Sequence, residues 1–179
     1  MTTINQRKHA AGYDIRQLRW AFGAFATGVT VVTVGGREPH GMTANSFTSV
    51  SLDPPLVLVC VDRQAVMHER LENTGTFAVS ILSCAQETVA RHFADRLRPS
   101  GLAQFDDVGW RPGPATGAPL IDGALAHLEC RLWRSYAGGD HTIFTGELVD
   151  LHRYGDDDPV LFLQGRFRQI GPERTEAHR

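Results

Sequence analysis

A single lysine, Lys8, three cysteines and no apolar run near the roughly 20 residues of a membrane-spanning helix mark this chain by what it has little of. The missing run argues against a helical membrane anchor, and the opening residues MTTINQRKHAAGY lack the apolar centre of a signal peptide, which points to the cytoplasm. Cys60, Cys84 and Cys130 form no close pair, so a disulfide framework and a cysteine-rich zinc site are both disfavoured. Each reads as a small apolar residue. A formal net charge of −2 gives no attraction to nucleic acid or an anionic membrane, and neither is expected as a partner.

Motifs are missing too. There is no G-x-G-x-x-G after a strand, no P-loop, no G-x-S-x-G and no H-E-x-x-H. Rossmann-type dinucleotide binding, phosphoryl transfer and the common hydrolase and zincin sites therefore lack support. The eight histidines include no i, i+4 pair, and His9 and His178 lie near the chain ends, so no metal site is expected. Asp106-Asp107 and Asp156-Asp157-Asp158 sit among turn residues and read as solvated turns, not acid dyads.

What is present is dominated by strands. Asp14 and Gln17 make a capping box for a helix carrying Ile15, Leu18, Phe22 and Phe25 at helical spacing, with Gly28 as its stop. Residues 29–34 read as a β-branched strand, Gly35-Gly36 as a turn and 42–51 as the returning strand. The run 56–62 is a third strand. AVMHERLEN is a short helix ended by Gly75, followed by the strand TFAVSIL. Ser83 and Gln86 form a second capping box, opening the helix AQETVARHFAD. Residues 95–120 read as an excursion whose Leu97, Leu102, Phe105 and Trp110 must pack somewhere. In LAHLECRLWRSY, apolar Ala126, Leu128, Cys130 and Leu132 alternate with His127, Glu129 and Arg131, a strand with one wet face. HTIFTGELVDL and VLFLQGRFRQ add two more strands. At 179 residues the chain reads as one domain, 1–179, with a core over about 15–170 and flexible tails at 1–13 and 171–179. Many short strands with few helices point to a mainly β fold, a closed antiparallel barrel.

The stretch 39–55, PHGMTANSFTSVSLDPP, is too polar for ordinary core and is flanked by apolar strands. Its small side chains would let the backbone of Thr43, Ala44, Asn45 and Ser46 approach a flat polar ligand closely. On chemistry alone, a Ser/Thr-rich edge strand entering a Pro-Pro turn accounts for it equally well.

Taken in order, GVTVVT, PHGMTANSFTSVSLDPPLVLVCVD, TFAVSIL, ARHFAD and AGGDHTIFTGELVDL resemble the short-chain NAD(P)H:flavin oxidoreductases, the reductase components of two-component flavin monooxygenases. The resemblance runs from about residue 18 to about residue 170. It implies a split β-barrel of the Greek-key, FMN-binding type, usually a homodimer, with FMN or FAD as flavin and NADH or NADPH as co-substrate. A separate flavin-dependent monooxygenase is the implied partner. A flavoprotein that keeps its flavin as electron carrier or redox sensor, and a ferric reductase, are the alternatives.

By the family pattern, Gly41, Met42, Thr43, Ala44, Asn45 and Ser46 border the polar edge of the ring. Cys60, Val61 and Asp62 border the flavin side chain, Met67 stands where relatives bind phosphate, and His92 and Phe93 match the phosphate or adenylate side, though Phe93 serves equally well as a helix core aromatic. In GGDH, Gly139 and Asp140 lead to His141, which lies near the nicotinamide in relatives and is the catalytic candidate; a hairpin turn with a surface histidine is the alternative. Gly165 and Arg166 are assigned to the same side, with a plain surface charge as the equally good alternative for Arg166. One departure stands out: many relatives carry phosphate-binding hydroxyls where DRQAVMH places Ala65 and Met67. Arg63 and the following helix N-terminus are the residues that could compensate.

Overall fold

The computed structural model describes residues 12–171. The parts of the expected tails beyond them, with His9 and His178, lie outside the described residues. In chain order the elements are α1 (Ile15–Phe22), β1 (Thr27–Gly28), β2 (Thr30–Val34), β3 (His40–Ala44), β4 (Thr48–Leu52), β5 (Pro55–Asp62) and α2 (Val66–Thr74). There follow β6 (Thr76–Ile81), α3 (Glu87–Ala94), β7 (Trp110–Pro112), β8 (Pro119–Ile121), β9 (Ala126–Gly138), β10 (His141–Arg153), β11 (Leu161–Leu163) and β12 (Arg166–Arg168). Single 3-10 turns at Cys84–Gln86 and Gly101–Phe105 complete them. The fold is mainly β with few helices, and no described helix is long and apolar enough to cross a membrane.

A seven-stranded antiparallel sheet, in the order β3-β2-β6-β9-β10-β5-β4, forms the body. Its two edge strands, β3 and β4, are consecutive in sequence, joined only by residues 45–47. Four Cα steps keep Ala44 and Thr48 within about 15 Å of each other. A flat sheet would hold edges six spacings apart, about 29 Å. The sheet must therefore curl strongly at this end. The single strand expected over 42–51 is thus two strands and a corner. Ser46 makes that corner, because its hydroxyl donates to Cys60 O and accepts from Cys60 N, both at 3.0 Å, carrying the chain from β3 to the far side of the sheet.

β4 and the far ends of β9 and β10 stay exposed, while over the middle of the sheet both faces are covered. On one, Val32, Val34, Val57, Val59, Phe77, Val79, Leu128, Cys130 and Phe144 pack with Met67 and Leu71 of α2. On the other, Val29, Val31 and Leu82 pack with Ala90 and Phe93 of α3 and with Phe105 and Ile121 of the excursion. That second layer corrects the wet face expected on β9, where His127 is 3% and Glu129 1% exposed. The excursion lies over them. His127 Nε2 donates to Ile121 O at 2.8 Å, and Glu129 Oε2 accepts from Thr116 N at 2.7 Å and Thr116 Oγ1 at 2.6 Å. Thr33 Oγ1 donates to Pro119 O and Ser80 Oγ accepts from Ile121 N. The register sets Thr33, Ala78 and Glu129 in one cross-strand row and Val31, Ser80 and His127 in the next, so these polar residues share one face.

Both capping boxes form as their sequences indicate, and Gly75 ends α2 at φ +65°, a backbone that suits glycine. The second box opens a 3-10 turn before α3. α1 ends at Phe22 instead of running toward Gly28, and none of its residues is buried: Ile15, Trp20 and Phe22 stay exposed, as does Phe25 beyond it. Of the excursion's apolar residues, Phe105 is buried and Trp110 stacks on it. Leu97 and Leu102 are exposed, because the chain there is held by polar groups.

Candidate functional site

β3, the 45–47 corner, the end of β5, the start of α2 and the segment after α3 surround a cavity of about 560 Å³, within the usual range of roughly 300–1,000 Å³ for a small-molecule site. The alternation of β5 decides which of its residues reach it. Val57, Val59 and Val61 point into the core, and Cys60 and Asp62 point to the cavity. Burial pushes the Cys60 thiol up, so it lines the wall as an unionised group. Asp62 Oδ1 accepts from Gln64 N, which folds the chain into α2.

Met42, Thr43, Ala44, Asn45, Ser46, Cys60, Asp62, Met67, Phe93 and His141 all line this cavity, so most of the sequence-derived set comes together. Several of their side chains are already engaged. Thr43 Oγ1 donates to Ala90 O of α3 at 2.6 Å, and Met67 is fully buried in the core. What the corner presents is backbone, plus the Asn45 amide, which is exposed and has no hydrogen bond among the described residues. His141 opens β10 after the Gly139-Asp140 turn, with Gly139 at φ +76°. Its Nδ1 lies 2.7 Å from Asp140 Oδ1. A carboxylate only accepts, so Nδ1 carries a proton and Nε2 is the ring nitrogen left facing away from Asp140.

Other expected residues lie elsewhere. Gly41 is buried beneath Phe93, whose ring leaves no room for a Cβ there, so its glycine serves packing. Val61 lies in the core, and His92 faces the 3-10 turn, Nε2 2.7 Å from Gln104 O. Gly139 and Asp140 shape the turn beside the cavity without lining it. Gly165 and Arg166 sit in the β11–β12 hairpin of a separate three-stranded sheet with β1.

Sequence reasoning missed one wall of the cavity. His40 and Glu38 precede and enter β3, Arg70 lies on α2, and Arg96, Arg98 and Ser100 follow α3. Their signal was RLRPS directly after ARHFAD: two guanidiniums and a hydroxyl beside a helix already assigned to the phosphate side. Arg70 pairs with Glu38. Arg98 Nη2 donates to His40 Nε2 at 3.0 Å, which requires that nitrogen to be unprotonated.

Burial, and then the Arg98 and Arg70 charges, lower the His40 pKa from 6.5 to about 4. His127 is lowered in the same direction, first by burial. The unfolded chain then binds more protons between about 4 and 6.5, so stability is full above pH 6.5 and falls as pH drops toward 4. Urea midpoints across that range should fall with pH, and His40→Gln should flatten part of the slope.

The site thus belongs to a mainly β fold whose curled sheet turns a corner of small residues toward a cavity, with His141 among its lining. The chain belongs to the flavin reductase like domain family, whose sequence profile matches residues 22–171. It is 61% identical over 164 residues to an NADH-dependent FAD reductase of Streptomyces globisporus, covering 92% of this chain and 90% of that one. The solved structure of the S. globisporus C-1027 NADH:FAD oxidoreductase SgcE6 with NAD and FAD fragments superposes with TM-score 0.85 at 59% identity, covering 89% of this chain and 94% of that one. BorF, the flavin reductase component of a bacterial two-component tryptophan halogenase, gives 0.84 at 55% identity over 89% and 99% of the two chains.

Proposed function

We propose that the protein is an NADH-dependent flavin reductase that binds FMN or FAD in the cavity and releases the reduced flavin to a separate monooxygenase. The observation that carries this reading is the corner Ala44–Ser46, all backbone and small side chains, with His141 lining the same cavity. When bound, the flavin ring supplies the redox chemistry by accepting hydride from the nicotinamide. The chain's own residues bind and orient. Backbone groups of Thr43 to Ser46 and the Asn45 amide face the polar ring edge, where donors stabilise the charge that builds during transfer. Cys60 and Asp62 border the flavin side chain, and Phe93 its phosphate or adenylate side. Arg96 and Ser100, whose side chains have no hydrogen bond or ion pair among the described residues, supply donors toward phosphate in place of the hydroxyls missing at Ala65 and Met67. His141, its ring set by Asp140, orients the nicotinamide.

The finer architecture follows from the same features. The curl that brings β3 and β4 together supports a closed split barrel within one domain, 1–179. Exposed Ile15, Trp20, Phe22 and Phe25 on and beside α1, with Val50, Leu52, Val149 and Leu151 on the sheet, support a homodimer. Light scattering should give a dimer at micromolar concentration; a fully active monomer contradicts it. A nicotinamide-consuming reductase belongs in the cytoplasm, where its co-substrate is regenerated. To test the activity, the protein is purified, assayed for flavin retained after dialysis, and supplied with NADH or NADPH and with FMN and FAD separately. NADH oxidation that requires added flavin supports the reading. A yellow protein that keeps one flavin per subunit and reduces none added favours the electron carrier.

A further inference from the structure

The wall formed by residues 96–101 has an unusual attachment. From Ala94 to Ala103 no residue is buried, and Leu97 is 91% exposed, so no apolar side chain anchors this arm. Polar bonds hold it instead. Gln104, fully buried, accepts from Gly41 N at 2.8 Å through Oε1 and donates through Nε2 to Pro39 O at 2.9 Å and Gly101 O at 2.7 Å. One amide thus ties the arm's last residue to β3 and to the residue before it. Arg98 adds donations to Asp95 O at 2.6 Å, to His40, to Gly41 O and, at 3.5 Å, to Gln104 Oε1 itself. Arg98, Pro99, Ser100 and Gly101 line the cavity; Gln104 does not.

We propose that Gln104 is a positioning residue that latches the 96–101 arm onto β3 and so sets the affinity for flavin without taking part in hydride transfer. The inference rests on the flavin-reductase reading. Its physical basis is preorganisation: a site whose binding-competent form is only partly populated binds more weakly by that fraction. With an arm that has no apolar anchor, polar bonds set that population, the Gln104 amide tying its far end at Gly101 and Arg98 its middle. Arg98 by itself holds the arm from its middle and leaves Ser100 and Gly101 untethered.

The test compares wild type with Gln104→Leu and Gln104→Glu. The first removes all three bonds and the longer one from Arg98 Nε. The second keeps the acceptor for Gly41 N and Arg98 Nε and loses the donations to Pro39 and Gly101, so it releases the far end of the arm at Gly101 even where the first does not fold. Flavin affinity is read by quenching of FAD and FMN fluorescence, and kinetics by NADH oxidation well below each variant's melting temperature. The expected result is a rise of about tenfold in the flavin Kd and KM, with KM for NADH and kcat at saturating flavin within about twofold of wild type. A folded variant with a lower melting temperature and unchanged flavin Kd makes Gln104 purely structural and overturns the inference. Equal losses in kcat and in flavin affinity also overturn it. Wild type binding neither flavin removes the reading and the inference together, a result distinct from both.

Discussion

Asn45→Leu should cost flavin binding at least about a hundredfold, close to 3 kcal/mol, while leaving the protein as stable as wild type. The expectation comes from where the residue stands. Asn45 occupies the corner between β3 and β4, exposed on the cavity, and its amide bonds to no described residue. Removing it breaks nothing in the fold, so stability should move by no more than about 0.5 kcal/mol. A branched side chain there fills the space that a flat ring needs for close backbone contact, and it also removes the free amide. Ser46→Leu should lose flavin as well, but with lower stability, because the Ser46 hydroxyl bridges both backbone groups of Cys60. Flavin titration and thermal melts on the two variants separate these effects. Unchanged flavin affinity in Asn45→Leu would remove the corner from the site.

His141→Ala should lower kcat/KM for NADH roughly ten- to a hundredfold, the loss of about 1–3 kcal/mol for one orienting bond, with flavin affinity unchanged. The side chain is 43% exposed and among the described residues its side-chain bond is to the neighbouring Asp140, so truncation leaves the β9–β10 ladder intact. With Nδ1 held by Asp140, Nε2 is the atom left to meet a ligand. Steady-state kinetics with varied NADH at saturating flavin is the measurement. Wild-type values in the variant would make His141 a surface residue of a hairpin turn.

Local signals carried much of the fold. Asp14-Gln17 and Ser83-Gln86 form their capping boxes as written, Gly75 stops α2, and β2 pairs with β3, though across residues 35–39 and not the two-residue Gly35-Gly36 turn expected. These features depend on residues a few positions apart. The losses come from partners far apart in sequence. The corner in 42–51 depends on Ser46 meeting Cys60, and the buried polar face of β9 depends on an excursion that returns over it. Nothing in the alternation of 126–132 tells a wet face from one covered by another segment. The candidate site divides the same way. The resemblance named the corner, β5 and His141, but grouped Val61 with its neighbours although the strand turns it inward. The arm escaped notice because Gln104 and Arg98 find their partners 57 to 65 residues upstream.

The most direct measurement is an anaerobic turnover count. A small amount of flavin-free protein is mixed with a large excess of FAD, then of FMN, and with NADH, and the loss of the oxidised flavin's visible absorbance is followed to completion. The account predicts that each subunit reduces many equivalents of added flavin, with one NADH consumed per flavin. Reduction that stops at a single equivalent per subunit, or NADH left unoxidised with either flavin, would contradict it.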